Sequence, residues 1–272
     1  MTTPGARSSV YAHRPAPRLG GCVEQLWSWR GAPSHPTERI VPDGGLQLLV
    51  NLAEDRLHHV DLDGTVHALP AAIVTGAFDV PFTVLSVDQR DIVGVAFAPG
   101  GARPFLGCPT SELLRDNVSL AELWGQTATD ALREALYRAR DDGARLDVLE
   151  QALLARLVGA PGVERRVRVG TQLLCRAPDV GCAAEAVNLS RRAFTRLFRE
   201  HVGLAPKRWG RIQRFNQALD GLFTAPDLTT LALACGYFDH AHFSREFADF
   251  AGTTPTAVLA GRRNGHHLVL GG

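Results

Sequence analysis

Two short stretches of the chain carry clusters of hydrogen-bond donors on one side of a helical register. In the first, Arg191, Arg192, Thr195, Arg196 and Arg199 lie opposite an apolar stripe of Phe194, Leu197 and Phe198. In the second, His240, His242, Ser244 and Arg245 lie opposite Phe243, Phe247 and Phe250. A guanidinium presents a planar fork of N–H donors that fits a phosphate, or the O6 and N7 acceptors of guanine, where one bidentate pair contributes about 1 to 3 kcal/mol of base discrimination. Any one of these arginines read alone is a solvated helix face. Repetition and position favour the other reading.

The clusters belong to one pattern written twice. Phe194, Arg196, Phe198, Gly203 and Pro206 recur as Phe243, Arg245, Phe247, Gly252 and Pro255, at a constant offset of 49 residues. Each copy reads as two short helices joined by a tight turn. In the first, Asp179 caps a helix carrying Ala184 and Val187, the chain turns at Asn188-Leu189, and Ser190 caps a second helix that stops at Gly203. In the second, Asp227 caps a helix with Leu228, Leu231 and Ala232 inward, Gly236 ends it, and Asp239 caps the helix that buries the phenylalanines. The turn is one residue longer there, since Ala184 pairs with Ala232 at an offset of 48 and Ser190 with Asp239 at 49. Two helix-turn-helix units follow, and in such a unit the start of the second helix meets the major groove.

From roughly Val163 to Arg263, including the segments LSRRAFTRLFREHVGLAPKRW and ACGYFDHAHFSREFADFAGTTP, the chain resembles the C-terminal DNA-binding domain of the AraC/XylS family of bacterial transcription regulators. The resemblance puts Arg192, Thr195 and Arg196 at base-reading positions of the first unit, and His240, Ala241 and Arg245 at those of the second. Ala241 offers only apolar contact, for instance to a thymine methyl. Arg191, Lys207, Arg208, Arg211 and Ser244 are then the phosphate contacts. The implied partners are double-stranded DNA through its major groove, a small-molecule effector, a second copy of the chain and, for an activator, RNA polymerase.

Charge agrees with this division. The net charge of +1 over 272 residues hides 15 Lys+Arg against 9 Asp+Glu from Val163 onward, net +6, and 14 against 19 before it, net −5. Phosphate neutralisation needs the basic half. Within that half the first unit is the more basic: eight Lys+Arg and two acids lie between Ala184 and Asn216, against one Arg and four acids between Asp227 and Phe250. The five cysteines are scattered without a CxxC pair, which points to reduced thiols. The first residues lack a signal-peptide core and no apolar run reaches membrane-spanning length, so a soluble cytoplasmic protein is expected.

The elements that must position these residues give an α+β chain. Residues 1–18 read as a flexible arm, 19–126 as a β-rich, cupin-like sensor domain, 127–162 as a helical linker or dimerisation region, 163–263 as the double helix-turn-helix domain and 264–272 as a tail. Short apolar runs broken by Gly, Pro and Asp predict strands at Cys22 to Trp29, Leu46 to Leu52, Leu57 to Leu62, Thr65 to Leu69, Ala72 to Gly76, Phe82 to Val87 and Ile92 to Phe97. Asp63-Gly64 predicts a two-residue type I′ hairpin turn. Helical spacing takes over after Pro99, with short helices at Ala102 to Leu106 and Ser119 to Trp124 and amphipathic ones at Thr129 to Arg140 and Leu146 to Leu157. Gly159 to Gly162 marks the domain boundary, Val163 to Arg176 a supporting helix, and Lys207 to Leu222 the helix joining the two units.

The segments RIVPDGGLQLLVNL and IVGVAFAPGGARPFLGCP look like the cupin-like sensor region fused to this type of DNA-binding domain, which implies effector binding. A small β-barrel can hold one small ligand, and Trp27, Trp29, Arg39, Phe78, Phe97 and Phe105 are the residues whose types suit such a pocket; each of the aromatics reads equally as core. No metal and no cofactor is expected: a metal-dependent cupin needs an HxH pair and a carboxylate, whereas His58-His59 on one strand point to opposite faces. Catalysis is not expected for the same reason. The rival reading makes the β domain a protein-interaction module without a small ligand. An enzyme tethered to DNA ranks last, for want of a catalytic constellation.

Overall fold

The computed structural model of the chain describes residues 9–32, 35–157, 163–264 and 266–269, in an α+β architecture. Strands β1 (Ser9–His13), β2 (Val23–Arg30), β3 (Thr37–Ile40), β4 (Gln47–Asn51), β5 (Arg56–Val60), β6 (Val66–Pro70), β7 (Ala72–Thr75), β8 (Phe82–Leu85), β9 (Asp91–Phe97) and β10 (Asn117–Ser119) occupy the first half, while β11 (Arg262–Asn264) and β12 (His267–Val269) come after the last helix. They form two antiparallel sheets, in the orders β1-β2-β9-β4-β7-β10 and β11-β12-β3-β8-β5-β6. The period-2 alternation aims Trp27, Trp29 and Leu49 at the space between the sheets, and Leu26, Leu48 and Val50 into the core that the helices cover. Gly94 of β9 is bare because the Trp27 ring lies across it; a Cβ there would come within 2.3 Å of the indole.

Helix α1 (Arg103–Leu106) lies between β9 and β10, and α2 (Leu120–Trp124), α3 (Gln126–Arg138) and α4 (Asp142–Arg156) follow β10. Buried Arg145 of α4 forks onto Asp91 of β9 at 2.7 and 3.2 Å, which fixes the helix against the first sheet. The helical half comprises α5 (Arg165–Arg176), α6 (Val180–Ala186), α7 (Arg191–Val202), α8 (Pro206–Gly221), α9 (Leu228–Ala234), α10 (His240–Ala251) and α11 (Pro255–Ala260). Its helices start where the side chains dictate. Asp179 accepts from the Gly181 amide at 2.8 Å, Ser190 from Ala193 at 3.2 Å, Asp227 from Thr229 and Thr230 at 2.9 Å, and Asp239 from His242 at 2.6 Å. Asn188, at φ 55°, turns the chain between α6 and α7.

Three expectations change. The arm is not all arm, because Ser9–His13 pairs with β2; residues 1–8 lie outside the described residues. The tail is not a tail, because β11 and β12 form a hairpin whose second strand pairs with β3 and so extends the second sheet. The Asp63-Gly64 turn is a three-residue loop. Gly64 N donates to Asp61 O at 3.0 Å, Asp61 N donates to Thr65 O at 2.9 Å, and Gly64 takes the positive φ of +90° while Asp63 does not. Asp63 Oδ1 accepts from the Thr65 amide at 2.9 Å, which favours this bulged turn over the mirror-image one. The boundary placed at Gly159 to Gly162 lies outside the described residues.

The helical half is packed against the β half, and one hydrophobic core runs through both. Trp209 of α8 is buried, and its indole N–H donates to Gly44 O at 3.0 Å; Gly44 sits at φ +76°, where a Cβ would reach within 2.9 Å of the ring. Gln213 Nε2 donates to Asp43 O at 2.8 Å and Thr110 Oγ1 to Glu200 O at 3.2 Å. Arg103 Nη1 donates to His201 Nε2 at 2.8 Å, so this ring nitrogen is the acceptor of a neutral imidazole.

Burial first, and Arg103 beside it, push His201 below its ordinary value. The unfolded chain therefore binds more protons than the folded one once pH falls through about 6.5, and stability drops with it. Buried His59 is depressed in the same direction. Urea unfolding between pH 7.5 and 5.5 tests this: the midpoint falls as pH falls, and His201→Gln, which keeps an acceptor for Arg103 but takes up no proton, makes the fall shallower.

Candidate functional site

The two repeated helices present matching faces. In α7, Phe194, Phe198 and Val202 are buried, Arg191, Arg192, Arg196 and Arg199 are exposed, and Thr195 is half-buried among them. The Arg191 guanidinium lies over Gly181, where a Cβ would stand 2.4 Å from it, so this arginine bridges the two helices of its unit. In α10, Phe243, Phe247, Phe250 and Ala251 are buried, while His240, Ala241 and Arg245 are exposed and Ser244 is half-buried. Both helices are tied to the β half at their C-terminal ends. Thr110 reaches the carbonyl of Glu200, and Arg39 Nη1 donates at 3.0 Å to the carbonyl of Gly252, the left-handed cap of α10. Their N-terminal turns are exposed.

Two of the expected phosphate contacts are engaged elsewhere. Arg208 Nε donates to Asp79 at 2.8 Å across the junction between halves, and its guanidinium stacks on Phe250, 4.3 Å from the ring centre. Burial pushes the Asp79 carboxyl up, but Arg115 and Arg208 outweigh it and hold it below the usual carboxylate range. Arg211 Nε donates to Glu246 at 2.6 Å. Glu246 is buried in the apolar stripe of α10 and also accepts from Arg214 Nε at 3.0 Å and Nη2 at 2.7 Å, with Arg214 laid over Tyr237. The basic row of α8 thus clamps the second unit and the β half, because its acceptors are carboxylates already in reach. Lys207, at the helix start, is exposed.

Between the sheets lies a cavity of about 560 Å³. Of the six residues expected to line a pocket, Trp27, Trp29 and Phe78 do so. Arg39 does not: on β3 it points to the opposite face from Glu38 and Ile40 and serves α10. Phe97 packs on Phe105, with ring centres 5.5 Å apart, and neither reaches this cavity; Phe105 instead borders a separate depression with Trp124 and Arg156. The cavity wall also holds His59, stacked on Phe82 with centroids 4.3 Å apart. Its Nδ1 accepts from Asn117 Nδ2 at 2.9 Å and its Nε2–H donates to Asp61 at 3.0 Å. Burial, working against Asp61, holds it below its ordinary value, hence neutral. Among the described residues no group of three His, Cys, Asp or Glu side chains is placed to hold a metal ion, and no helix is long and apolar enough to cross a membrane.

Residues 183–261 match a family described as a helix-turn-helix domain, and residues 11–119 match a domain family of unknown function. The arabinose operon regulatory protein of Salmonella typhimurium is 29% identical over 152 residues, covering 52% of this chain and 53% of that protein. Over about half its length the chain is thus similar to an AraC-type regulator. The chain spans about half the length of that curated relative. The HTH-type transcriptional regulator ArgR of Pseudomonas aeruginosa is 31% identical over 83 residues, 30% of this chain and 25% of that protein. The solved structure of a Chromobacterium violaceum transcriptional regulator with an AraC-type DNA-binding domain is 25% identical, covers 34% of this chain and 86% of that one, and superposes with a TM-score of 0.32. The sequence pattern did not point to Asp79, Arg214 or Glu246 as site residues. Glu246 had a visible signal, an acid on the buried side of α10 between Phe243 and Phe250; Asp79 had none, since its partner Arg208 is 129 residues away.

Proposed function

We propose that this AraC-family chain is a sequence-specific DNA-binding transcription regulator acting in the cytoplasm, with no catalytic activity. The N-terminal turns of α7 and α10 enter successive major-groove faces about 34 Å apart. Arg192, Thr195 and Arg196 read bases in one face and His240, Ala241 and Arg245 in the other; Arg191, Lys207 and Ser244 hold phosphates. The observation that carries this reading is that both helices are tied to the β half at their C-terminal ends and expose the turns bearing those side chains. A small effector in the β half controls the binding, and the space of about 560 Å³ between the sheets favours this over a β half that serves only as a protein-interaction module. A second copy of the chain and, for an activator, RNA polymerase complete the proposed partners.

The test is affinity for DNA upstream of the chain's own gene against random DNA across a salt series. Preference for the upstream DNA, with an affinity falling on a log–log slope of roughly −0.9 per phosphate contact, is the expected result. Equal affinity for both sequences at every salt concentration counts against base reading.

A further inference from the structure

The cavity is closed by the wrong half of the chain. His266, His267 and Val269 line it, although they follow the last helix of the DNA-binding half. The register explains this: β12 pairs with β3, His267 opposite Ile40 and Leu268 opposite Arg39. Alternation then turns His267 and Val269 into the cavity and Leu268 into the main core. Val41 N donates to His266 O at 3.0 Å, and His267 binds Glu38. On the other side, Arg263 Nη1 donates to Leu219 O at 2.7 Å, tying the hairpin to the end of α8. β3 itself faces both ways, with Glu38 and Ile40 on the cavity and Arg39 on the cap of α10.

We propose that the cavity binds a one- or two-ring aromatic molecule bearing a hydrogen-bonding group, and that the β11–β12 hairpin is a strap whose docking this ligand stabilises together with the seat of the second recognition helix. The ring class follows from the wall, where Trp27, Trp29, Phe78 and Phe82 provide aromatic faces and Leu49 and Ile73 aliphatic ones. The polar group follows from His266, a wall residue whose Nδ1 has no hydrogen-bond partner and is brought to a ligand in the cavity by a turn of the imidazole. Glu38 is already engaged by His35 and His267, so it does not call for a cationic ligand. Because the ligand touches a wall made by the strap, binding and docking strengthen each other by the same factor. The inference rests on the effector-controlled reading above but uses no DNA to test it.

The probe is 2-naphthol, with naphthalene as its unsubstituted partner, titrated into the full chain and followed by quenching of tryptophan emission. 2-Naphthol binds more tightly than naphthalene, and His266→Ala erases that difference by weakening 2-naphthol about 3- to 10-fold, the size of one net hydrogen bond. In the unmodified chain, hydrogen exchange slows on addition of 2-naphthol at the amides of β12 and of the last turn of α10. Binding with unchanged exchange at both places overturns the strap, and equal binding by the His266→Ala chain overturns the polar contact. No binding of either compound overturns the ligand class. DNA affinity measured in the same preparation fails or holds independently, so loss of the regulator reading is told apart from loss of this one.

Discussion

Arg196→Ala weakens binding to the specific site roughly 5- to 150-fold, the equivalent of about 1 to 3 kcal/mol for one bidentate base contact, and relaxes preference at a single base pair. Arg196 is exposed on α7, and its loss removes no packing. Lys207→Ala serves as the contrast: a phosphate contact lowers affinity for all sequences alike and reduces the salt slope by about 1. Arg211→Ala behaves like neither. Its guanidinium is committed to Glu246, so its removal acts through the seating of α10 and lowers thermal stability as well as affinity. Competition binding with single-base variants of the site separates the three. An Arg196→Ala protein that keeps the full base preference of the parent removes this residue from the reading face.

What the sequence makes legible here is local. The repeat of 49 residues, the capping acids and the phenylalanine stripes lie within a few turns of what they specify, so α6 to α10 follow from spacing alone. Four strands of the first sheet, β2, β4, β7 and β9, follow for a related reason, being short apolar runs with Gly or Asp near their ends, whereas β1 and β10 do not. β3 escapes because Thr37–Ile40 carries Glu38 and Arg39, polar residues that satisfy partners on both faces rather than alternating with apolar ones. β11 and β12 escape because three residues are too few to show a period, and because their partner strand lies over 200 residues earlier. Arg39 read as a pocket residue and Arg208 as a phosphate contact fail in the same way: a guanidinium is assigned by the acceptor it finds, and these acceptors are brought in by the fold.

Glu246→Ala tests the same point within the helical half. The carboxylate sits at the buried face of α10, 3% exposed, between two arginines of α8. Removing it leaves Arg214 facing an apolar stripe without a counter-charge and Arg211 with only the exposed Asp249 at 3.8 Å, and breaking a buried pair costs about 3 to 5 kcal/mol. The lower end applies, since the Arg211 side chain is 31% exposed and turns to water more readily than Arg214 at 15%. Glu246→Gln retains shape and one acceptor and costs less, about 1 to 1.5 kcal/mol for each charged hydrogen bond replaced by a neutral one. Replacing Glu246, Arg211 and Arg214 together by Met removes the charges as a set and recovers most of the loss in urea unfolding, because no charge is then left unpaired. A single Glu246→Ala loss below about 1 kcal/mol would mean that water reaches this carboxylate, and that the second unit is seated on the first by its phenylalanines alone.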